Sequence, residues 1–108
     1  MFKELGNMAN LLKQAQRIQE QMRQVQEELK EKIVEGTSGG GMVRAKINGQ
    51  QQLVSLQIER EVVNPDDVDM LVDLVVAAIS QGIDKAKEMA REELLKLTGG
   101  FNIPGLIP

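Results

Sequence analysis

A heptad repeat over the first third of the sequence sets the strongest limit on how this chain can fold. Its apolar residues are separated alternately by three and four positions, the spacing of a seam along one helix: Met8, Leu11, Ala15, Ile18, Met22, Val25 and Leu29. We expect this helix to begin near Asn7 and to fade between Lys30 and Lys32. At 1.5 Å per residue such a helix measures roughly 35 Å, which is too long to lie wholly over a small core. Part of it should therefore project or meet a partner.

The middle third changes to a period of two residues, which is typical of half-buried strands. The sequence MVRAKING, residues 42–49, alternates apolar and polar side chains, and a second alternating run covers Leu53–Ile58. Asn48-Gly49 predicts a two-residue type I′ turn between them. A shorter run at Lys32–Glu35 predicts a third strand. We expect the inward residues of the two longer runs to pack in the core or in a dimer: Val43, Ala45, Ile47, Val54, Leu56 and Ile58.

The glycine-rich segment GTSGGG, residues 36–41, follows the shorter run and does not fit a phosphate-binding loop. Such a loop presents its amides at the start of a helix, and a Walker loop ends in Gly-Lys-Ser/Thr. This segment leads into a strand and lacks that ending. We therefore interpret it as a flexible connection between antiparallel strands.

A second long helix is predicted after the sequence NPDD, residues 64–67. Asn64 is the expected N-cap and Pro65 the expected first helical residue. A broad apolar face then continues from Val68 to Leu97, and Gly99-Gly100 is expected to end the helix. Three carboxylates near the helix start are better explained by the helix dipole than by a metal site, since an EF-hand pattern is absent: Asp66, Asp67 and Asp69.

Composition removes most catalytic chemistry. The sequence has no Cys and no His, which excludes disulfides, thiol catalysis, Cys/His zinc sites and a Ser-His-Asp triad. The carboxylate pairs Asp66/Asp67 and Glu92/Glu93 are neighbours in sequence and so point in different directions on a helix. We therefore expect no enzymatic activity, catalytic residue, metal, cofactor or small-molecule substrate.

Length and hydropathy indicate one domain. We assign residues 1–100 of the 108 to it and residues 101–108, FNIPGLIP, to an apolar tail containing Pro and Gly. The tail pattern leaves open whether it is disordered or docks on a groove. No apolar run approaches a membrane span, so we expect a cytoplasmic protein without a membrane partner.

Several segments together resemble the bacterial YbaB/EbfC family of nucleoid-associated proteins. They are NLLKQAQRIQEQMRQVQEEL in the first helix, GTSGGGMVRAKINGQQQLVSLQIE through the strands, and LTGGFNIPGLIP at the end. The resemblance covers nearly the whole chain. It implies an α+β homodimer with an α-β-β-β-α subunit, paired sheets at the dimer centre, projecting helical arms, and binding to double-stranded DNA in the nucleoid.

A DNA site on this chain must be a local basic patch, because the chain as a whole is acidic, with a net charge of −3 and a sequence pI of about 5.0. The candidates on the two helices are Lys13, Arg17, Arg23, Lys85, Lys87 and Arg91, and Arg44 and Lys46 offer a third position on the hairpin. Each could instead solvate the surface or pair with Glu20, Glu88, Glu92 or Glu93. Without base-reading elements, we expect phosphate contacts and weak sequence preference.

A different function also fits the pattern. Long amphipathic helices around a hairpin are compatible with a prefoldin-like chaperone or a helical protein-interaction module, and neither needs a basic patch. The acidic pI favours this alternative slightly. The two functions differ in whether the chain binds nucleic acid or suppresses aggregation of client proteins.

Overall fold

The computed structural model describes residues 2–97, with side chains from residue 5 onward. Helix α1, Phe2–Glu31, is followed by strands β1, Ile33–Ser38, β2, Val43–Asn48, and β3, Leu53–Ile58, and then by helix α2, Val68–Leu97. Short 3₁₀ turns at Gly39–Gly41 and Arg60–Val62 connect them. The strands form one antiparallel sheet in the order β1-β2-β3. The predicted α-β-β-β-α class is confirmed.

Helix α2 packs mainly on β1 and β2, along one face of the sheet. The inward residues of β2, which are Val43, Ala45 and Ile47, are completely buried there. The helix meets the sheet through small residues repeated every four positions: Ala78, Gly82, Ala86 and Ala90. Small side chains at this spacing let the helix backbone approach the strands closely.

The closest approach joins Gly36 of β1 to Gly82 of α2. A Cβ atom placed on Gly36 would lie 2.0 Å from the Ala78 carbonyl oxygen and 2.3 Å from the Gly82 nitrogen. A Cβ atom on Gly82 would lie 2.6 Å from Cγ1 of the buried Ile47. Gly36 therefore belongs to a strand and serves helix packing, whereas only the following three glycines form the turn.

The predicted two-residue turn at Asn48-Gly49 is wrong. The loop covers residues 49–52, and Gln51 has the left-handed φ of 64°. The Asn48 side chain organises this loop, since its Oδ1 accepts hydrogen bonds from the Gln50 and Gln52 amides at 2.9 and 3.0 Å.

Gly49 is needed for a contact with α1 and not for the turn. Its amide donates to the Leu29 carbonyl at 2.7 Å, and a Cβ atom would lie 2.5 Å from that same oxygen. Leu29 is buried at this junction, and the Lys32 ammonium reaches Glu93 of α2 at 2.8 Å. The C-terminal end of α1 is thereby fixed to the body of the domain.

Both expected helix starts differ from the structure. Helix α1 continues through Gly6 to Phe2, because a single glycine costs only about 1 kcal/mol and the preceding residues favour helix. Helix α2 begins at Val68, since Asn64 folds into a turn in which its Oδ1 accepts from the Asp66 amide. Asp67 takes the capping role, with its Oδ1 accepting from the Met70 amide at 3.2 Å. The expected stop at Gly99-Gly100 and the tail 101–108 lie outside the described residues.

Candidate nucleic-acid interface

Lys13 and Arg17 lie one turn apart on a part of α1 whose described side chains are exposed. All side chains from residue 5 to residue 21 are exposed. The two cations lie on the side of the helix opposite the apolar seam, as 100° per residue requires. Neither has a hydrogen-bond or ion-pair partner among the described residues. Their charges are therefore available to an anionic partner.

Arg23 is held by carboxylates of its own helix. Its Nε donates to Glu20 at 3.1 Å and its Nη1 to Glu27 at 2.6 Å. The hydrogen bond from Arg23 lowers the pKa of Glu20. Six residues of helix also turn Arg23 about 120° away from Arg17. This arginine neutralises the carboxylate closest to Arg17 and does not extend the pair formed by Lys13 and Arg17.

The cations on α2 do not form one surface. The Lys85 ammonium donates to the Glu35 carbonyl of β1 at 2.9 Å, and Arg91 pairs with Glu88 at 3.3 Å. Lys87 is exposed and has no partner in the described part of the chain. Two residues of helix place Lys87 on nearly the opposite side of α2 from Lys85.

The uncovered face of the sheet presents Arg44 and Lys46 of β2. Arg44 donates from Nε to the Gly41 carbonyl at 3.0 Å and borders an open hollow together with Arg60. Arg60 was not among the residues predicted from sequence, because it stands between Glu59 and Glu61 and gives no local signal. Glu59 also lines the hollow and reduces its positive charge.

A second surface is apolar and uncovered. Leu56 and Ile58 of β3 lie opposite Ala45 and Val43, so they point to the same side of the sheet as those buried residues. They remain 37% and 38% exposed because α2 covers mainly the other two strands. The register of β2 and β3 shifts between Lys46 and Ile47, so that Ile47 pairs with Leu53. Val54 therefore does not follow the expected alternation, and its side chain is 55% exposed.

The flank of α2 that faces β3 is apolar as well. The opposite flank bonds to β1, since Gln81 accepts from the Thr37 amide and Lys85 reaches Glu35. At 100° per residue, Val72 and Val76 lie on the other flank of α2, toward β3. Their side chains are 52% and 56% exposed. We call the residues of both elements the open apolar face: Leu53, Leu56, Ile58, Val68, Val72 and Val76.

Neither a metal site nor a membrane span is found within the described residues. No three of their carboxylates are grouped so that they could hold a metal ion. Neither of the two long helices, over its described residues, combines the length and hydropathy that crossing a membrane requires.

Comparison with known proteins gives consistent matches over this whole architecture. A nucleoid-associated protein of Caldanaerobacter subterraneus subsp. tengcongensis is 57% identical over 100 residues, which cover 93% of this chain and 90% of that protein. One from Thermoanaerobacter pseudethanolicus is 53% identical over the same shares. The crystal structure of an uncharacterized protein from Helicobacter pylori matches with a TM-score of 0.73 and 26% identity, covering 82% of this chain and 94% of that chain. The profile of the YbaB/EbfC DNA-binding family matches residues 4–101, and the chain therefore belongs to this family.

Proposed function

We propose that this chain is a nucleoid-associated protein that binds duplex DNA as a homodimer, through phosphate contacts and with weak sequence preference. Membership of a DNA-binding family supports DNA as the partner and a role without enzymatic activity. The names of the bacterial relatives support a location in the cytoplasmic nucleoid. The contacts and the oligomeric state are inferred from the surfaces described above.

The observation that carries the phosphate-contact proposal is the exposed, unpaired couple of Lys13 and Arg17. No carboxylate occurs between Glu4 and Glu20, so this stretch of α1 carries two positive charges on an otherwise acidic chain. Lysine and arginine bind phosphate oxygens independently of base sequence. The ion-paired Arg23 and Arg91 are less suited to that role, because DNA would have to displace their carboxylates.

A salt series tests this assignment. Binding to a labelled random-sequence duplex is measured by fluorescence anisotropy for the parent chain and for Lys13→Gln/Arg17→Gln. The double variant should bind more weakly, and its log–log salt slope should fall by about 0.9 for each phosphate that is no longer neutralised. The control Arg91→Gln/Lys96→Gln removes the same charge from cations that are ion-paired in the structure.

The two variants separate a local site from an effect of net charge. If the control loses as much affinity and slope as Lys13→Gln/Arg17→Gln, the α1 pair is not the phosphate site. If the parent chain fails to bind duplex even at low salt, the proposed DNA function itself is wrong for this chain.

The homodimer proposal rests on the open apolar face. β3 is an edge strand that presents apolar side chains toward an uncovered side, and the neighbouring α2 flank extends the same surface. Such a patch is covered in stable soluble proteins, and an unprotected edge strand favours pairing with another chain. A second copy offers an identical face, as a two-fold interface requires.

Sedimentation analysis of single variants tests the dimer. Leu56→Lys places a charge on the open apolar face and should convert the dimer to monomer at micromolar concentration. Leu11→Lys makes the same change on α1, at another exposed leucine, and should leave the dimer intact. A monomeric parent chain, or equal dissociation by both substitutions, would rule out this interface.

A prefoldin-like chaperone or helical protein-interaction module remains a second candidate because apolar residues along α1 are open. Leu5, Met8, Leu11 and Leu12 are each about 60% exposed, and such a stripe could grip an apolar client. A chaperone would suppress the aggregation of several unfolded clients without nucleic acid. Lack of suppression across those clients would remove this alternative.

A further inference from the structure

The apolar seam of α1 is exposed over residues 5–21. All side chains of this stretch, polar and apolar, are exposed. Its large apolar side chains are each between 48% and 63% exposed: Leu5, Met8, Leu11, Leu12 and Ile18. The chain thus presents a regular helix about 25 Å long with one apolar side open to solvent.

The positions that flank the exposed seam carry no charge. They are Asn7, Gln14 and Gln21 on one side and Leu5, Leu12 and Gln19 on the other. In paired helices, charged residues at these positions select the partner, and like charges there keep two copies of the same helix apart. The neutral flanks of α1 therefore permit pairing with a second copy of the same helix.

The sizes of the seam residues favour an antiparallel pair. Ala15 is a small residue within a seam of large ones. In a parallel pair in register, Ala15 would face Ala15 and leave a gap in the interface. In an antiparallel pair centred on residue 13, Ala15 faces Leu11 and Met8 faces Ile18. The larger leucine then fills the space beside the alanine.

The charge of the chain favours the same orientation. The whole chain carries −3 although residues 5–19 carry +2, so the remaining residues carry −5. Parallel copies would hold these acidic bodies side by side. In the antiparallel pair each Leu29 lies sixteen residues from the centre, so the two Leu29 positions are about 48 Å apart. This distance is several Debye lengths of about 8 Å at 0.15 M salt, and the repulsion is screened.

We propose that the exposed seam of α1 is a self-association surface, which pairs antiparallel with the seam of a second copy so that Leu11 of each chain faces Ala15 of the other. Lys13 and Arg17 lie on the opposite side of the helix and remain open. Because the two bodies lie at opposite ends of the pair, this contact joins chains that belong to separate homodimers. The contact itself depends neither on DNA nor on the open apolar face.

The length of the seam makes this association weak. Stable coiled coils extend over at least about three to four heptads, and residues 5–21 cover about two and a half. We therefore expect pairing at roughly 0.1–1 mM chain, above the micromolar concentrations at which the open apolar face is expected to hold a dimer.

Sedimentation analysis between about 10 µM and about 1 mM tests the association. The mean mass of the parent chain should at least double over this range. Leu11→Lys should raise the dissociation constant of this step at least about tenfold, because each pair loses the burial of two leucines. The control Gln16→Lys adds the same charge at an exposed position about 130° around the helix from the seam, and it should associate like the parent.

The Leu56→Lys variant separates this contact from the proposed homodimer. With the open apolar face blocked, each particle has one α1 helix, so association at high concentration should continue and stop at two chains. If the parent is already monomeric at micromolar concentration, the homodimer proposal fails, but the step at high concentration should persist. A mass that stays constant to 1 mM, or equal association of Leu11→Lys and the parent, would overturn the pairing of α1.

Engineered cysteines test the orientation, because the sequence contains none. Chains with Leu11→Cys are mixed with differently tagged chains that carry Ala15→Cys, and the mixture is oxidised mildly. A disulfide requires Cβ atoms about 3.5–4.5 Å apart, so the mixed Leu11–Ala15 disulfide should form at least about tenfold faster than the Leu11–Leu11 disulfide. Mixing Leu11→Cys with Gln16→Cys is the control and should give little product. Faster Leu11–Leu11 disulfides would indicate a parallel pair, and equal rates with Ala15→Cys and Gln16→Cys would indicate random collision; either result would overturn the proposal.

Discussion

Replacement of Gly36 by alanine is expected to destabilise the fold strongly, although alanine is normally the more favourable residue. The new methyl carbon would lie 2.0 Å from the Ala78 carbonyl oxygen and 2.3 Å from the Gly82 nitrogen. Both are backbone atoms of α2, so no side-chain rotation can relieve the contact. The helix would have to move away from the sheet by roughly 1 Å or more, since carbon atoms normally stay about 3.5 Å from their neighbours.

The magnitude follows from two opposing effects. Overpacking a buried site costs about 1–3 kcal/mol, and this contact lies at the upper end because it displaces a whole helix. The entropy that Gly→Ala removes from the unfolded chain returns only about 0.4–1 kcal/mol. A net loss of about 2 kcal/mol is therefore expected, which is a large fraction of the 5–15 kcal/mol typical of folded domains.

Urea denaturation monitored by circular dichroism measures this loss, at one fixed protein concentration because dimerisation would add to stability. Gly6→Ala is the matched control: Gly6 lies within α1, and its added Cβ would have no neighbour within 4 Å. That variant should gain about 0.5–1 kcal/mol. The packing explanation fails if Gly36→Ala is as stable as the parent, or if both variants lose stability equally.

Three further substitutions test other parts of the fold by the same assay. Asp67→Ala should cost about 1 kcal/mol, because the Met70 amide loses its cap, and the loss should exceed that of Asp66→Ala. Leu29→Ala should cost about 2–5 kcal/mol at its buried junction, whereas Leu11→Ala on the exposed seam should cost clearly less. The hydrogen bond from Lys32 lowers the pKa of Glu93 below its ordinary 4.5. The ionised Glu93 therefore stabilises the fold above pH 4.5, and this contribution disappears as the pH falls through the lowered pKa. The free energy of unfolding of the parent should exceed that of Glu93→Gln at pH 7, and the difference should shrink toward pH 3; a difference that stays constant would refute this.

Local patterns in the sequence were sufficient for the elements of the fold. The heptad seam and the two alternating runs predicted α1, β2 and β3, since each pattern matches the period of its own backbone. The sequence could not show that Gly36 faces Gly82, because these residues meet only after α2 folds onto β1. The same applies to Gly49, whose contact with Leu29 depends on how α1 enters the domain.

The candidate site could be predicted only in part. Helical spacing placed Lys13 and Arg17 side by side, and the structure shows them exposed. The ion pairs of Arg23 and Arg91 required rotamers and distances that a sequence pattern does not contain. The open apolar face required the knowledge that α2 covers two strands of the sheet and leaves the third bare.

The separation of charge along the molecule explains how an acidic chain can bind DNA, and it leads to a last prediction. The whole chain carries −3 and residues 5–19 carry +2, so the other residues together carry −5. Arg17 lies twelve helical residues, or about 18 Å, from the junction at Leu29. The Debye length is about 8 Å at 0.15 M salt but about 30 Å at 0.01 M.

If the proposed site is right, phosphates near Arg17 are screened from the acidic body at physiological salt and repelled by it at low salt. We expect the log–log salt plot of DNA affinity to be linear near 0.15 M and to flatten toward 0.01 M. Glu28→Gln/Glu31→Gln removes two exposed carboxylates at the end of α1 that joins the body, and the salt plot of this variant should remain linear to lower salt. A parent plot that stays straight to 0.01 M would show that the acidic body does not oppose binding, and would refute this explanation.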